Sequence, residues 1–447
     1  MSWKKNPIAS LFNDKGHMKS IHVKHLKTTE DKETRQIKVP SMVYISMAQH
    51  IGPPCKPLVK AGDVVAVGQP IGDTDAFVSA PIHASVSGKV EKIGKIRSVT
   101  GGQDAVISIQ SDKKQTLWEG ISVPQVSNYE EFLKEIRKSG LVGLGGAAFP
   151  THVKYSPKNL DQVDTLIING AECEPFITSD YRTMLEDTED ILSGIALTAK
   201  YLKIDKVFIA IEGNKPKAIA LFDKIIKERQ LDHITLVTLK STYPQGAERV
   251  LIYEVTGKVM NAGVLPAELG VLVSNIATIA FIGQYFRTGI PLVSKKITVD
   301  GSAVKNPANL LVPIGTPITD LIDACGGYRG KPEKILMGGP MMGRTVFSDT
   351  LPILKNNNAI LAFTGRQAVI PDETPCINCG RCYFACPFDL LPYAMYKAYD
   401  NRDMDTLERL RVMQCMECGS CSYVCPAKKP LSFTNKMGKE RLKEARK

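Results

Sequence analysis

Eight of the eleven cysteines fall in two short runs late in the chain, Cys376, Cys379, Cys382 and Cys386, then Cys415, Cys418, Cys421 and Cys425. Both runs read C-x2-C-x2-C-x3-C-P, the spacing of thiolate ligands to [4Fe–4S] cubes. Three thiolates from one tight loop meet three corners of a cube, while the residue three places further on points elsewhere. The fourth cysteine of each run therefore serves the other cube. This assigns Cys376, Cys379, Cys382 and Cys425 to one cluster and Cys415, Cys418, Cys421 and Cys386 to the second, and makes the two clusters near neighbours. Gly380 and Gly419 follow the second ligand of each run, where the backbone must turn closely, and Pro387 and Pro426 end the runs. Zinc is the alternative. Its sites draw C-x2-C pairs from separated knuckles, unlike four cysteines in an unbroken run, met twice. Cluster-bound thiolates imply a reducing, cytoplasmic setting. Residues 390–396 and 406–411, between the runs, are spaced as helical pieces that cover the clusters. Cys55, Cys173 and Cys325 read as small buried hydrophobes.

Two clusters make a wire, and a wire implies a two-electron donor or acceptor at one end. The chain has room for one, since 447 residues suggest about three domains with an extra small module. No apolar run approaches the roughly 18–20 residues that cross a bilayer, residues 271–283 being the best candidate. The N-terminus has lysines without an apolar stretch behind them, which argues against a signal peptide. Residues 1–39 carry nine Lys/Arg against four Asp/Glu and residues 427–447 eight against two, so the ends account for the whole net charge of +11. These ends read as solvated tails or as contacts for an anionic lipid surface or acidic partner. Nucleic acid is not expected, because basic residues interleaved with aromatics on a folded surface are missing.

The glycine-rich stretch at residues 140–154 follows an amphipathic helix predicted at 129–138. Residues 143–148 match G-x-G-x-x-A, yet a dinucleotide fingerprint must follow a strand, so a standard Rossmann reading fails on context. Bare amides in this loop, with Lys154 beside them, suit either a phosphate or a structural turn. A buried strand at 164–170 then ends in a turn carrying Glu172 and Glu174, and a second strand, 206–212, ends at Glu212. Helix and strand alternate through 229 and 234–239, which predicts a parallel sheet covered on both faces. Ligands of such sheets lie beyond the carboxyl ends of strands. Those carboxylates either serve a ligand or cap helices.

The loop GLGGAAFPTHVK resembles the flavin-binding loop of the NADH-oxidising subunit of respiratory complex I, and NGAECEP resembles the acidic turn that follows it there. With residues 243–249 and the double cysteine run, the chain from about residue 20 resembles the RnfC family of the Rnf electron-transport complex. The resemblance implies that Gly143, Gly145, Gly146 and Lys154 hold the phosphate of FMN. It implies that Asn169, Glu172 and Asn275 line the flavin, that Phe149 faces the nicotinamide, and that Glu174 and Glu212 hydrogen-bond the nucleotide. Leu144 and Ala148 stand where the complex I pattern has Arg and Gly, and Ala171 where it has an acid.

Residues 40–110 read as short strands broken by glycines and resemble the barrel-sandwich hybrid of lipoyl and biotinyl carriers. The hairpin tip at residues 72–77 lacks the modifiable lysine of a carrier, so a structural or docking module is expected, with His83 a turn residue. Residues 294–345 resemble a β-grasp (SLBB) domain. Its turn at 338–340 reads as a bare β-turn, Met341 and Met342 as interdomain packing, and 354–375 as the link to the clusters.

The expected fold is thus multidomain α/β. It comprises a basic segment (1–39), a barrel-sandwich module (40–120), an FMN/NADH-binding domain (121–290), a β-grasp domain (291–350), a helical double-[4Fe–4S] domain (351–430) and a basic tail (431–447). The implied function is that of a peripheral component of a membrane-bound, ion-translocating ferredoxin:NAD oxidoreductase. It would exchange hydride between NAD(H) and FMN, and single electrons with the clusters, without a catalytic side chain. Implied partners are the membrane-embedded Rnf subunits, the iron–sulfur protein RnfB and, indirectly, ferredoxin, at the cytoplasmic face of the bacterial inner membrane. A cobalamin-reductase-type protein and a flavin-free cluster-bearing adaptor are the alternatives.

Overall fold

The structure, a computed structural model, describes residues 18–99 and 101–446; the start of the expected basic N-terminal segment, residues 1–17, lies outside them. Two compact units emerge. One holds residues 23–241 and 265–371, and the other combines the described residues up to 22 with 242–264 and those from 372 onward.

In the larger unit, residues 165–170 and 206–212 carry apolar side chains on both faces, as a strand covered on both sides requires. They form the centre of an all-parallel sheet ordered Ile234–Leu239, Lys206–Glu212, Thr165–Gly170, Val271–Asn275. The predicted helix is present as Tyr129–Lys138, capped by the Asn128 side chain, which accepts from the Glu131 N–H at 2.9 Å. Helices Thr188–Leu202 and Ile276–Thr288 cross with backbones nearly touching. A Cβ on Gly194 would lie 2.1 Å from the Ile279 carbonyl oxygen, and one on Gly283 2.0 Å from that of Asp190. Only glycine fits at either crossing point.

The amino-terminal module has two antiparallel sheets around an apolar core that includes Val43, Ile71, Val90 and Ile107, as the barrel-sandwich reading predicts. The β-grasp sheet has six strands, ordered Arg35–Gln36, Ala308–Pro313, Ser294–Asp300, Ala359–Phe363, Lys334–Met337, Arg344–Val346. Helix Ile318–Ala324 packs on it, with Ile318, Leu321 and Ile322 in the sheet's core. Two expectations are corrected here. Residues 354–375 are not a plain link, because Ala359–Phe363 is a fully buried strand between two others. Five consecutive apolar residues can bury both faces and so belong inside a sheet. The basic segment before residue 40 is also no tail along its described length, since residues 35–36 form the sheet's edge strand.

The smaller unit is helical. Its carboxyl-terminal residues, expected as a solvated tail, form the helix Leu431–Ala445. Leu431, Asn435, Gly438 and Leu442 recur at helical spacing on its buried side. The charges lie around them. Lys439 pairs with Glu417 at 2.5 Å, Arg446 with Glu408, and the Arg441 guanidinium sits 4.0 Å over the Tyr399 ring. Among the described residues no helix is long and apolar enough to cross a membrane.

Candidate functional site

The two cysteine runs adopt one conformation twice. Asn378 and Glu417, each two residues after the first ligand, take left-handed backbone angles (φ 54° and 61°), as do Gly380 and Gly419 (φ 71° and 82°). This turns the Asn378 N–H onto the Cys376 sulfur and the Glu417 N–H onto the Cys415 sulfur, both at 3.4 Å. A thiolate gains from such a donor.

Cys376, Cys379, Cys382 and Cys425 line one cavity of about 260 Å³. Cys415, Cys418, Cys421 and Cys386 line a second, tighter one of about 20 Å³. The crossed grouping read from the spacing is therefore the grouping of the side chains in space. Among the described residues no imidazole or carboxylate lines either cavity, so the metal ligands each offers are four thiols, which suit iron–sulfur clusters and not the harder cations. Burial pushes the Cys386 thiol up to about 11. A bound iron centre would hold such a sulfur as a thiolate at neutral pH. The two nests differ in exposure: Cys379 is exposed, whereas Cys386, Cys418 and Cys421 are buried.

Residues 242–264 belong with the clusters and not with the parallel sheet to which sequence reasoning gave them. Tyr243, 1% exposed, donates its hydroxyl to the Cys418 carbonyl at 2.6 Å. Arg249, from helix Glu248–Thr256, donates to the Gln414 carbonyl (2.9 Å) and side-chain oxygen (3.0 Å) and lies 3.7 Å over the Phe388 ring. Nothing in their local sequence announces these contacts, whose hydrogen bonds join residues 165 or more positions apart.

In the larger unit, the carboxyl ends of the three strands ending at Gly170, Glu212 and Asn275 carry Asn169, Glu212 and Asn275, and Gly145 lies against Asn275. The glycine loop is a closed turn: the Gly143 N–H donates to the Phe149 carbonyl (2.8 Å) and the Ala148 N–H to the Gly143 carbonyl (3.2 Å). The Leu144 N–H donates to the Thr278 hydroxyl. Gly143 thus spends its amide on folding the loop, and the N–H groups of Gly145, Gly146, Ala147 and Phe149 have no acceptor among the described residues. Three side chains from the β-grasp segment tie the stretch down. Lys295 donates to the Leu144 carbonyl at 2.7 Å, Lys355 to that of Gly140 at 2.6 Å and Asn356 to that of Gly146 at 2.9 Å. Burial lowers both lysines to about 7. Lys154 ends the short helix Thr151–Lys154 that follows the loop.

Asn275 lies opposite Asn169 in the sheet register. Its side-chain oxygen caps helix Ile276–Thr288 while its amide donates to Asp180 at 2.6 Å, and Asn169 accepts from the Ala171 N–H. Glu172 caps a helix. Its carboxylate accepts the Asp180 N–H (2.7 Å) and the Tyr181 N–H (3.4 Å) of helix Ser179–Glu186. Burial raises it to about 7, against the opposing pull of Lys27.

The other two acidic candidates also have partners within the fold. Glu174, implied as a nucleotide ligand, gives both oxygens to the turn that was read as bare, accepting the N–H groups of Met341 (3.0 Å) and Met342 (2.9 Å). The methionines thus act there through their backbone. Glu212, also implied as a nucleotide ligand, is fully buried and pairs through Oε2 with Lys215 at 2.7 Å, while Oε1 has no partner among the described residues. Sequence reasoning missed Lys27, whose ammonium donates to the carbonyls of Glu172 (2.8 Å), Glu174 (3.1 Å) and Ile177 (2.6 Å) and so holds the acidic turn. A lysine in a basic amino-terminal segment gives no local sign of this.

Four family models match the chain: the RnfC barrel sandwich hybrid domain over residues 16–114, the Nuo51 FMN-binding domain over 136–284, the SLBB domain over 296–345 and a 4Fe-4S dicluster domain over 368–426. Component C of the proton-translocating ferredoxin:NAD(+) oxidoreductase complex of Clostridium ljungdahlii is 43% identical, over 82% of this chain and 80% of the relative. The counterpart from the Na(+)-translocating complex of Acetobacterium woodii is 40% identical, over 82% and 83%. Component C of the ion-translocating oxidoreductase complex of Rhodobacter capsulatus is 37% identical, over 98% and 85%. Among solved structures, an NAD+-reducing [NiFe]-hydrogenase in the H2-reduced state superposes with a TM-score of 0.51 at 18% identity, covering 71% of this chain and 61% of that one, a likeness of fold.

Proposed function

This chain belongs to the RnfC family, the C components of ion-translocating ferredoxin:NAD oxidoreductase complexes, and from that premise we propose that it is the electron-transfer subunit at which NAD(H) meets the complex. It works with FMN, NAD(H) and two [4Fe–4S] clusters, as part of an assembly with other Rnf subunits. It is peripheral to the membrane, on the cytoplasmic face.

The observation that carries this reading is the pair of four-thiol nests on a chain that also carries the flavin-type fold. Cys376, Cys379, Cys382 and Cys425 hold one cluster; Cys415, Cys418, Cys421 and Cys386 hold the other. Flavin, when bound, accepts a hydride and releases electrons one at a time, which matches a two-electron carrier to one-electron clusters. The chain's own residues orient and hold. Gly145 and Gly146 would offer amides to the phosphate with Lys154 as counter-charge, Gly143 closes the turn that presents them, and Asn169 and Asn275 would line the flavin. Phe149 would face the nicotinamide. Glu172 acts indirectly, by fixing helix Ser179–Glu186, and Glu174 and Glu212 shape the nucleotide side of the site.

Anaerobic purification with quantified iron, sulfide and flavin tests this, with about eight iron, eight sulfide and one flavin per chain expected. NADH should then bleach both the flavin and the iron–sulfur absorbance. Iron–sulfur absorbance with no flavin, and no response to NADH, would select the adaptor alternative instead.

A further inference from the structure

Beside the first cluster nest lies an open groove of about 480 Å³, lined by Ile21, Arg381, Phe384, Tyr423, Cys425 and Lys428 among others. Phe384 and Tyr423 hold the same place in the two cysteine runs, two residues after the third ligand. Both are left in solvent, at 67% and 48% exposure. Ile377 and Leu391, which line the adjoining nest, are exposed as well, at 68% and 47%. Large apolar side chains gathered at one rim mark a contact surface more often than an accident of packing. Ile377 and Leu391 line the more open nest, and the nest and the groove meet at Cys425 and Pro426, which line both.

Charge selects the occupant. Arg381 and Lys428 are exposed, neither side chain has a carboxylate partner among the described residues, and no acidic residue lines the groove. The chain's own residues 1–17, which lead into Ile21, carry Lys4, Lys5 and Lys15 against Asp14 and share the groove's sign. They are poor competitors for it. Electron-transfer encounters are small and transient, and are steered by complementary charge around an apolar centre. Two cations flanking two aromatic rings have that composition.

Resting on the electron-transfer reading above, we propose that this groove docks the acidic face of a one-electron redox protein, and that electrons pass between that partner and the chain through the first cluster. The second cluster, with three of its four sulfurs buried, then lies on the interior side of the route.

The test is stopped-flow reduction of the purified holoprotein by an acidic flavodoxin in its hydroquinone form, whose coloured semiquinone reports each electron passed. Reduced methyl viologen, a cation, serves as the second reductant. Arg381→Glu with Lys428→Glu should slow reduction by flavodoxin about tenfold at low salt and remove its dependence on ionic strength, while viologen reduces the variant at least as fast as the unmutated chain. Phe384→Ala should slow flavodoxin alone. An unchanged flavodoxin rate in the charge-reversed variant would overturn the groove, and so would a rate in the unmutated chain that does not fall with added salt. If neither reductant reduces the unmutated clusters, the electron-transfer reading itself fails and the groove with it.

Discussion

The hydroxyl of Tyr243 donates to the main-chain carbonyl of Cys418 across 2.6 Å, joining residues 175 positions apart in sequence. The tyrosine is fully buried, and its backbone pairs both ways with Ile21 at 2.8 Å, so the ring has little freedom to leave. Tyr243→Phe removes the donor and leaves a carbonyl in the ligand loop of the second cluster without it, a loss of about 1 kcal/mol. Iron release to a chelator, followed by absorbance, should speed up severalfold for the second cluster. Equal release from variant and unmutated chain would mean that the contact does not brace the loop.

Crossed ligation makes a prediction that uncrossed ligation does not. Cys425→Ser should weaken or convert the cluster held by the first run, and Cys386→Ser the cluster held by the second, although each serine lies in the opposite run. Electron paramagnetic resonance of the reduced variants separates the outcomes. Damage confined in each case to the cluster of the substituted run would break the assignment.

Gly145 offers an amide for phosphate and also lies against Asn275. A Cβ at Gly145 would meet three Asn275 side-chain atoms at 3.2 Å. Asn275 has nowhere to go, because it caps helix Ile276–Thr288 and donates to Asp180. Gly145→Ala is therefore expected to weaken flavin retention about tenfold, roughly 1.4 kcal/mol, and to spare the clusters. The flavin-to-iron ratio after gel filtration measures it, with Lys154→Ala as the electrostatic counterpart. Loss of iron in proportion to flavin would show that the two halves of the chain do not fold independently.

Glu174 should leave a mark on the pH dependence of stability. Burial raises its carboxyl from 4.5 to about 7, only partly offset by the Met341 and Met342 N–H groups. A carboxyl raised in the folded state contributes stability that is complete below its unfolded value and lost as pH rises through the folded one. From about pH 5 to pH 7.5 the unmutated chain should give up about 2 kcal/mol at this group. Glu174→Gln cannot titrate, so its stability relative to the unmutated chain should rise by about that amount over the same window, as read by urea unfolding at both ends. A constant difference would show that Glu174 is ionised throughout.

What could be read from the sequence follows the range of each interaction. Cluster ligation is local, so eight cysteines, two glycines and two prolines carry most of the information. Strands such as Lys206–Glu212 and helix Ile318–Ala324 were legible because burial imposes its own period. The residues that hold the flavin-type site were not. Lys27, Lys295 and Lys355 act by placing ammonium groups on main-chain carbonyls more than a hundred positions away, and a carbonyl has no sequence signature. Glu174 misleads for the same reason, since its partners are the amides of Met341 and Met342. The strand Ala359–Phe363 was legible in principle, and was hidden by its place between two recognised modules.

The interleaving of the two nests bears on how the protein is made. A ribosome emits Cys376, Cys379 and Cys382 before Cys425, so three corners of the first cube wait for a sulfur that only the second run supplies. Cys386 waits in turn for the second run. Iron loading of either nest must therefore follow synthesis of the second run, and a nascent polypeptide that stops before Cys415 can complete neither cube.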